Sequence, residues 1–385
     1  MVKKILTKQS KFSWFKPLNH NELYSKEVLK LIKKEKMTMG ESCYQLENKL
    51  KKILKAKHVI LTTSGTSALN MATIALGVNS SSKVLCTNMT WIATINPAKI
   101  MGAKIILVDT EKESLNVSFK KLNQNIRKFR PDVVYLVHLN GCPTYNEEFD
   151  KLKKKYHFSV IEDSAQSFPV KIVDNKYCGT KYEIGCISLS MTKIINMVYG
   201  GFCVTNSNKL AQKLISIRNN GVNAEPEFAD MELANINGLN LKPSDLHAKI
   251  GLINLNFLQR NVKKVRQIYK IYTQGLKNHK FIKILKNKNK NTLPIYILIL
   301  PDNKKKFINF CNKNGIGLHF NLRALHETKL FNQNKKFFNS YYMSKNVVRL
   351  PSGPGYSLQE IKKITKILII SSSLQWPYEV HAQDY

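Results

Sequence analysis

Two strand-like stretches of this sequence lead into residues that can do chemistry. The apolar stretch 158–163 ends in Asp163, and a second stretch runs from Gly185 through Ser188 to Lys193. Apolar strands followed by polar residues place those residues at the carboxyl edge of an open α/β sheet, where ligands bind. A lysine there can act as an amine nucleophile, and a carboxylate can face a protonated ring nitrogen. The pair therefore predicts an enzyme that uses pyridoxal 5'-phosphate, with Lys193 as its covalent anchor and Asp163 beside its pyridine nitrogen.

The surroundings of Lys193 distinguish it from the many other lysines of the chain. Residues 187–198 are mostly apolar, and a lysine in such surroundings loses part of its preference for the charged form. A lysine is otherwise more often a solvated surface group. Ser188 can bind the cofactor phosphate, and Gly200 with Gly201 lets the chain leave the site sharply.

Other positions can complete such a site. Gly65 and Thr66 open a predicted helix directly after a strand, where free N–H groups and the helix dipole can hold a phosphate. A simple helix N-cap explains the same pattern. Trp91 follows a strand and can stack on a flat ring, although an isolated tryptophan is more often part of the core. Gln166, three residues after Asp163, can hydrogen-bond the ring or its oxygen.

The elements that must position these residues follow from the hydrophobic pattern. Short apolar runs alternate with amphipathic helices, and runs such as 133–137 are apolar on both faces, which is typical of a covered, mainly parallel sheet. A long helix over 252–272 is predicted next, followed by a smaller mixture of helices and strands. We predict an α/β protein with a large cofactor-binding domain, residues 1–251, and a smaller C-terminal α+β domain, residues 252–385.

Composition argues against several other classes of protein. Lys and Arg number 61 against 26 Asp and Glu, which gives a net charge of +35 and invites a nucleic-acid hypothesis. The lysines are not interleaved with aromatic residues and no nucleic-acid-binding motif occurs, so we interpret the charge as a composition bias. The seven cysteines form no C-x-x-C pair, and no apolar run is long enough for a membrane span. We expect a cytoplasmic protein without a nucleic-acid partner, a membrane partner or a metal site.

Short motifs spread along the chain carry a resemblance that none of them carries alone. They are residues 64–69, 88–94, 102–109, 138–141, 162–166, 188–193, 200–206, 238–240, 250–252, 319–326 and 350–351. In this order and spacing they resemble the DegT/DnrJ/EryC1/StrS family of pyridoxal-phosphate-dependent nucleotide-sugar aminotransferases. The resemblance extends over roughly residues 20 to 370.

The resemblance implies an aspartate-aminotransferase-like fold, fold type I, and a homodimer whose active sites are shared at the subunit interface. It implies that Lys193 binds the cofactor covalently and that Asp163 pairs with the ring nitrogen. Gln166 and Trp91 would lie against the ring. The residues that would hold the phosphate are Gly65, Thr66, Ser188 and Asn240 of the partner subunit.

The implied substrate is a keto-deoxysugar carried on a nucleotide diphosphate, and the implied amino donor is L-glutamate. His319, Tyr199 and Lys242 are the candidate substrate-binding residues. Tyr199 stands where relatives usually carry Glu or Gln, and Lys242 stands where they often carry Arg. Lysine keeps the charge but loses the bidentate geometry of arginine, so the nucleotide, the sugar and the aminated carbon stay open.

Two other functions stay open beside amino transfer. One is a pyridoxal-phosphate-dependent sugar dehydratase on the same fold; such relatives carry histidine in place of the lysine, whereas this chain keeps Lys193. The other is a non-catalytic regulatory or nucleic-acid-binding protein that kept the fold. The intact set of Asp163, Gln166 and Lys193 favours a working cofactor site.

Overall fold

The computed structural model describes residues 10–33, 37–173, 175–222, 234, 236–285, 289–320, 322–331 and 337–373. The outer ends of the two predicted domains, 1–9 and 374–385, lie outside the described residues. None of the helices in the described ranges is both long and apolar enough to cross a membrane. In the same ranges, no group of three or more His, Cys, Asp or Glu residues is arranged to hold a metal ion.

The first part of the chain alternates helices and strands as the hydrophobic pattern predicts. In order these are α1 (Asn21–Lys33), α2 (Glu41–Leu54), β1 (His58–Thr62), α3 (Gly65–Ala75), β2 (Lys83–Thr87), α4 (Asn96–Ile100), β3 (Lys104–Val108), α5 (Phe119–Phe129), β4 (Val133–Val137), α6 (Glu147–Tyr156), β5 (Ser159–Asp163), β6 (Ile184–Ser188), β7 (Gly201–Thr205) and α7 (Asn208–Arg218).

The strands of this part form one sheet of seven, in the order β1-β7-β6-β5-β4-β2-β3. Neighbours from β6 to β3 run parallel, while β7 is antiparallel to both β6 and β1. All five residues of β4 are buried, because helices cover both faces of the sheet. The predicted α/β class with a mainly parallel central sheet is confirmed.

The register of the parallel strands brings their carboxyl ends to one edge. Val137 lies opposite Asp163, and Asp163 lies opposite Cys186, two residues before the end of β6 at Ser188. Asp163 and Ser188 therefore end neighbouring strands on the same side of the sheet. This is the edge at which open α/β sheets bind ligands.

The second part of the chain builds a smaller sheet of four antiparallel strands in the order β10-β11-β9-β8. Two helices, α8 and α9, precede its first strand, β8. The elements are α8 (Asp245–Leu255), α9 (Leu258–Gly275), β8 (Ile282–Ile284), β9 (Ile297–Pro301), α10 (Lys304–Lys313), β10 (His319–Phe320), α11 (Phe338–Asn346), β11 (Val348–Leu350) and α12 (Leu358–Ile370).

Residues near the N-terminus pair with segments next to the strands of this smaller sheet. Phe12 bridges to Ile316, and Phe15 bridges to Ser352. Phe12 is buried in the core cluster of the small sheet. The division of the chain at residues 251 and 252 stays a prediction.

The predicted long helix over 252–272 is two helices, because α8 continues to Leu255 and α9 begins at Leu258. Buried amides flank the break. Asn254 donates to the carbonyl oxygen of Asn196 at 2.8 Å, and Asn261 donates to that of Ile194 at 3.0 Å. The two helices thus hold the loop that carries Lys193, a role that a hydrophobic pattern alone does not reveal.

Candidate active site

A cavity of about 400 Å³ lies at the carboxyl edge of the large sheet, between that sheet and the smaller one. Its walls combine the ends of β5 and β6, the N-terminus of α3 and residues next to β9, β10 and β11. Most of the predicted site residues line it together: Gly65, Thr66, Trp91, Asp163, Gln166, Ser188, Lys193, Tyr199 and His319.

The carboxylate of Asp163 is buried at the floor of the cavity with 6% of the residue exposed. The hydroxyl of Thr94 donates to Oδ2 at 2.7 Å, and the N–H of Ala165 donates to Oδ1 at 3.1 Å. Burial raises the pKa of Asp163, and these two hydrogen bonds oppose the rise only in part. A carboxylate in such a setting gains most from a cation placed next to it, such as a protonated ring nitrogen.

A buried pair behind Asp163 fixes the end of β5. His138 Nε2 lies 3.0 Å from Oε1 of Glu162, and both side chains are fully buried. His138 Nδ1 accepts from the N–H of Thr144 at 3.0 Å, so the ring is neutral and its Nε2–H donates to Glu162. Glu162 also accepts three N–H groups from residues 179–182. Because Glu162 precedes Asp163 on the strand, this network holds the Asp163 carboxylate in place.

The N-terminus of α3 lines the cavity and is suited to bind an anion. Ser64 is the N-cap, and its hydroxyl accepts the N–H of Ser67 at 3.0 Å. The first N–H groups of a helix have no partners within the helix, so those of Gly65 and Thr66 can face a ligand. A Cβ on Gly65 would lie only 2.8 Å from Cβ of Ser188. Glycine is therefore needed at this position so that the helix end and the end of β6 can approach each other. The N-cap and the phosphate-cradle interpretations are compatible.

Gln166 presents its amide to the cavity in a fixed orientation. Its Oε1 accepts the N–H of Asn140 at 2.9 Å. The NH₂ group of Gln166 is then the part of the side chain that can donate to an oxygen on a bound ring. This arrangement fits the predicted position near the 3-oxygen of the cofactor.

Two aromatic residues that line the cavity, Trp91 and Tyr199, are exposed. Trp91 precedes a short 3-10 helix over Ile92–Thr94 and is 61% exposed, and Tyr199 is 69% exposed. A flat ligand or a second protein surface would cover such groups favourably. The role of Trp91 in stacking and the role of Tyr199 in substrate binding stay predictions.

The wall opposite Asp163 comes from the smaller sheet and was largely missed by sequence reasoning. Tyr296 directs its hydroxyl to the carbonyl oxygen of Thr192 at 3.2 Å, next to Lys193 in the chain. Burial disfavours ionisation of Tyr296, but the charges of Lys193 and Arg349, together with hydrogen bonding of the phenol, outweigh burial and lower its pKa. Trp14 reaches this wall as well, with its ring centroid 4.3 Å from that of His319.

Asn240 and Lys242 are not among the residues that line the cavity. Asn240 is exposed and bridges to Asn219, and Lys242 is partly buried. A role for Asn240 in the site of a partner subunit is compatible with this position. Both assignments stay predictions.

The residues of this cavity fit pyridoxal phosphate. The donors at Gly65, Thr66 and Ser188 suit a phosphate, the buried Asp163 suits a protonated pyridine, and Lys193 supplies an amine at the same edge. The cradle in which a Cβ on Gly65 would clash is the structural feature that carries this fit.

Comparisons with known proteins agree with this interpretation. The sequence model of the DegT/DnrJ/EryC1/StrS aminotransferase family matches residues 19–369. A UDP-4-amino-4,6-dideoxy-N-acetyl-beta-L-altrosamine transaminase of Campylobacter jejuni is 28% identical over 312 residues, which cover 79% of this chain and 82% of that protein.

Solved structures share the fold. A DegT/DnrJ/EryC1/StrS aminotransferase from Brucella abortus has a TM-score of 0.84 at 22% identity, covering 92% of this chain and 96% of that one. The GDP-4-keto-6-deoxy-D-mannose-3-dehydratase of E. coli with bound hydrated PLP also has a TM-score of 0.84, at 19% identity, covering 94% and 100%. The fold by itself therefore does not separate amino transfer from dehydration.

The chain belongs to the DegT/DnrJ/EryC1/StrS aminotransferase family. The predictions of the family, of the fold class and of an aminotransferase that depends on pyridoxal phosphate are confirmed. Thr94, His138, Tyr296 and Arg349 are among the cavity residues to which sequence reasoning gave no role. Thr94 and His138 lie inside matched motifs, so a signal existed for them, whereas Tyr296 and Arg349 lie outside those motifs.

Proposed function

We propose that the protein transfers an amino group to a keto-deoxysugar carried on a nucleotide diphosphate, with L-glutamate as the donor. The observation that supports this most is the convergence of Lys193, Asp163 and the α3 cradle on one cavity in a chain of this family. The transaminase from Campylobacter jejuni, whose name gives a UDP-linked amino sugar, supports a nucleotide sugar as the substrate.

The residues of the cavity divide the work of such a reaction. When bound, pyridoxal phosphate supplies an electron sink that allows an amino group to leave one carbon and join another. Gly65, Thr66 and Ser188 would hold its phosphate, and Asp163 would keep its ring nitrogen protonated. Lys193 would hold it covalently.

The amine of Lys193 would move a proton at the carbon that gains or loses nitrogen. Tyr296, whose hydroxyl donates to the carbonyl oxygen of the preceding residue, Thr192, would help to orient that amine. Gln166 would hold the ring oxygen through its NH₂ group, since its carbonyl oxygen already accepts from Asn140. Thr94 would hold the Asp163 carboxylate in the orientation that faces the ring.

The sugar would enter from the side of the exposed aromatics and the smaller sheet. His319 and Tyr199 line this part of the cavity, as a sugar-binding role requires. Burial, and then the charge of Arg349, lower the pKa of His319, so this imidazole is neutral at physiological pH. A neutral imidazole can both donate to and accept from sugar hydroxyls.

The closing experiment for this function is a substrate panel. Purified protein with pyridoxal phosphate and ¹⁵N-labelled glutamate would be incubated with keto sugars on UDP, dTDP and GDP, and the products would be followed by mass spectrometry. We expect one ¹⁵N atom in the sugar nucleotide of at least one panel member. Loss of a hydroxyl group from the sugar without gain of nitrogen would instead indicate the dehydratase function. The presence of Lys193, where dehydratase relatives carry histidine, argues against that function.

We also infer a working dimer with shared sites. Helix α1 has no buried residue, although it carries several large apolar side chains. Leu23, Leu29 and Ile32 are 43%, 51% and 46% exposed, which supports contact with a second copy. Asn240 is exposed and outside its own chain's cavity, as a residue that serves the neighbour would be.

Complementation tests the shared site. Lys193→Ala chains mixed with Asn240→Asp chains should regain activity, because one site per mixed dimer then combines an intact Lys193 with Asn240 of the partner subunit. Mixed chains without regained activity, or a fully active monomer, would contradict shared sites.

The seven cysteines are free thiols, which supports a location in the reducing cytoplasm. Cell fractionation would test that location.

A further inference from the structure

Asn140 is a buried asparagine that lies behind the cavity, in the turn that follows β4. Only 5% of the residue is exposed, and it is not among the residues that line the cavity. Its φ and ψ are 51° and 41°, in the left-handed region that asparagine adopts more readily than most residues other than glycine. Since Asn140 does not reach a ligand, any role in the site must pass through the residues that it holds.

The side-chain amide of Asn140 hydrogen-bonds the backbone of Tyr296 from both of its ends. Nδ2 donates to the carbonyl oxygen of Tyr296 at 3.0 Å, and Oδ1 accepts its N–H at 2.9 Å. Tyr296 is 3% exposed and stands just before β9, so these bonds pair backbone groups that water does not reach. In the same turn, the carbonyl oxygen of Gly141 accepts the N–H of Leu293 at 3.0 Å. The turn after β4 therefore holds the chain that leads into β9 at two points.

Hydrogen bonds extend from this junction to both walls of the cavity. Toward the large sheet, the N–H of Asn140 donates to Oε1 of Gln166 at 2.9 Å. Toward the small sheet, the hydroxyl of Tyr296 donates to the carbonyl oxygen of Thr192 at 3.2 Å. Thr192 immediately precedes Lys193. Gln166 and the loop of Lys193 thus share Asn140 as a common support.

We propose that Asn140 is a positioning residue for the reaction, which seats the Tyr296 hydroxyl on the loop of Lys193 and holds the Gln166 amide toward the cofactor. The proposal rests on the aminotransferase function given above. The ring of Tyr296 must move with its backbone, and Asn140 fixes that backbone through a donor and an acceptor together. Displacement of a catalytic group by about 1 Å can lower a rate on the order of 100-fold, so a support outside the cavity can still control turnover.

Two variants of Asn140 separate its side chain from its backbone. Asn140→Gly removes both hydrogen bonds to Tyr296 but keeps the N–H that Gln166 accepts, and glycine adopts a φ of 51° without strain. Asn140→Asp cannot donate to the Tyr296 carbonyl as a carboxylate, but it can do so when protonated. The matched control is Asn123→Ala, because Asn123 is 2% exposed, donates to Glu148 at 2.9 Å and does not line the cavity. Unfolding temperatures report the stability of each variant.

The first measurement is an ultraviolet titration of the full-length protein without cofactor, in which the amine of Lys193 is free. Burial raises the pKa of Tyr296, but the charges of Lys193 and Arg349 and hydrogen bonding of the phenol lower it below its ordinary value. Loss of the seat should return this pKa toward the ordinary value, so the phenol of Asn140→Gly should ionise at higher pH. Tyr296→Phe identifies the signal, and Asn123→Ala should titrate like the wild type. An unchanged titration in Asn140→Gly would overturn the proposal.

The second measurement is the single-turnover reaction of the holoenzyme with glutamate, followed by cofactor absorbance. We expect the maximal rate of Asn140→Gly to fall roughly 10- to 100-fold, with little change in the glutamate concentration at half-maximal rate. In a Tyr296→Phe background the same change should cost less than about 3-fold, because its effect passes through Tyr296. Losses that multiply in the double variant, or a rate equal to that of Asn123→Ala, would overturn the proposal.

The pH dependence of Asn140→Asp gives the same contrast in case Asn140→Gly does not fold. Burial disfavours the charged form of a carboxyl group at this position, so the group should gain a proton as the pH falls. The rate of Asn140→Asp relative to the wild type should therefore rise toward lower pH, as the lost donor returns. A ratio that is independent of pH would count against the proposal.

Failure of the positioning role and failure of the proposed function give different results. A Tyr296 titration that depends on Asn140, in a protein that aminates no sugar of the panel, leaves the seat and removes the function. A protein that aminates a panel sugar at the same rate with Asn140→Gly leaves the function and removes the positioning role.

Discussion

The two walls of the cavity are built in different ways. The wall with Asp163, Ser188 and Gly65 consists of strand ends and a helix N-terminus of one parallel sheet. The facing wall, with Tyr296 and Arg349, comes from an antiparallel sheet far along the chain. The first wall offers neutral donors and one buried acid, whereas the second offers a buried cation and a phenol. The first wall suits a cofactor. The second wall suits the groups of the substrate, which differ from one reaction to another.

The difference lies in how each wall is supported. Behind Asp163, the buried pair of His138 and Glu162 and three backbone N–H groups hold the strand end. The backbone of Tyr296 is held by the side chain of Asn140, which donates to its carbonyl oxygen at 3.0 Å and accepts its N–H at 2.9 Å. Asn140 also donates its own N–H to Gln166 on the cofactor side. One asparagine thus ties the two walls together.

The largest effect is expected at the cofactor wall, from Lys193→Ala. Loss of the amine removes both the covalent anchor and the group that moves the proton, so turnover should fall on the order of 10³-fold or more. The measurement is ¹⁵N incorporation into the sugar nucleotide per unit time. Lys209→Ala, which removes an exposed lysine on α7, should leave the rate unchanged. Near-wild-type turnover in Lys193→Ala would contradict the assignment of Lys193 as the covalent anchor and proton-transfer group.

Asp163→Asn should have the next largest effect. The amide cannot stabilise a protonated ring nitrogen, and loss of a preorganised charge typically lowers rates by about 10²- to 10³-fold. Thr94→Val, which removes the 2.7 Å hydrogen bond to Asp163 and the 2.7 Å hydrogen bond with Thr90, should have a smaller effect in the same direction. Single-turnover rates with glutamate give this ranking. A larger loss in Thr94→Val than in Asp163→Asn would reverse the roles given to these residues.

Sequence reasoning identified one wall and missed most of the other for a physical reason. Asp163, Ser188 and Gly65 each stand where a short apolar run changes to polar or glycine residues, and parallel strands bring such points together. Arg349 stands within a three-residue strand, and Tyr296 precedes a strand whose local pattern shows only apolar residues. Their approach to Lys193 depends on packing between two sheets, which no local period encodes. His319 was predicted, but only through the family resemblance.

Gly65→Ala tests whether close approach of the helix end to β6 is needed for the cofactor. The new Cβ would lie 2.8 Å from Cβ of Ser188, so α3 or β6 must shift. Overpacking of this kind costs about 1–3 kcal/mol, which corresponds to roughly 5- to 150-fold weaker cofactor binding if the strain falls on the cradle. Cofactor affinity is measured by absorbance titration, with the unfolding temperature as the check on stability. Unchanged affinity would indicate that the cradle does not hold the phosphate.

The smallest effect is expected at the second wall, in the titration of Tyr296. Arg349 is one of the two cations that lower the pKa of this phenol, with Lys193 the larger influence. In Arg349→Gln the pKa of Tyr296 should therefore rise, and any alkaline change in rate that depends on this phenol should move to higher pH. Ultraviolet titration of both proteins, with Tyr296→Phe as the reference, measures the shift. A shift to lower pH would contradict the electrostatic account of this wall.

The most direct test of the cofactor wall is to locate the covalent link. Purified protein loaded with pyridoxal phosphate is reduced with borohydride, digested and mapped by mass spectrometry. We predict that the visible absorbance is bleached and that the added mass lies on the peptide containing Lys193, although the chain carries many other lysines. The same treatment of Lys193→Ala should yield no modified peptide. Modification of a different lysine, or of many lysines to equal extents, would contradict the assignment of the cavity as the cofactor site.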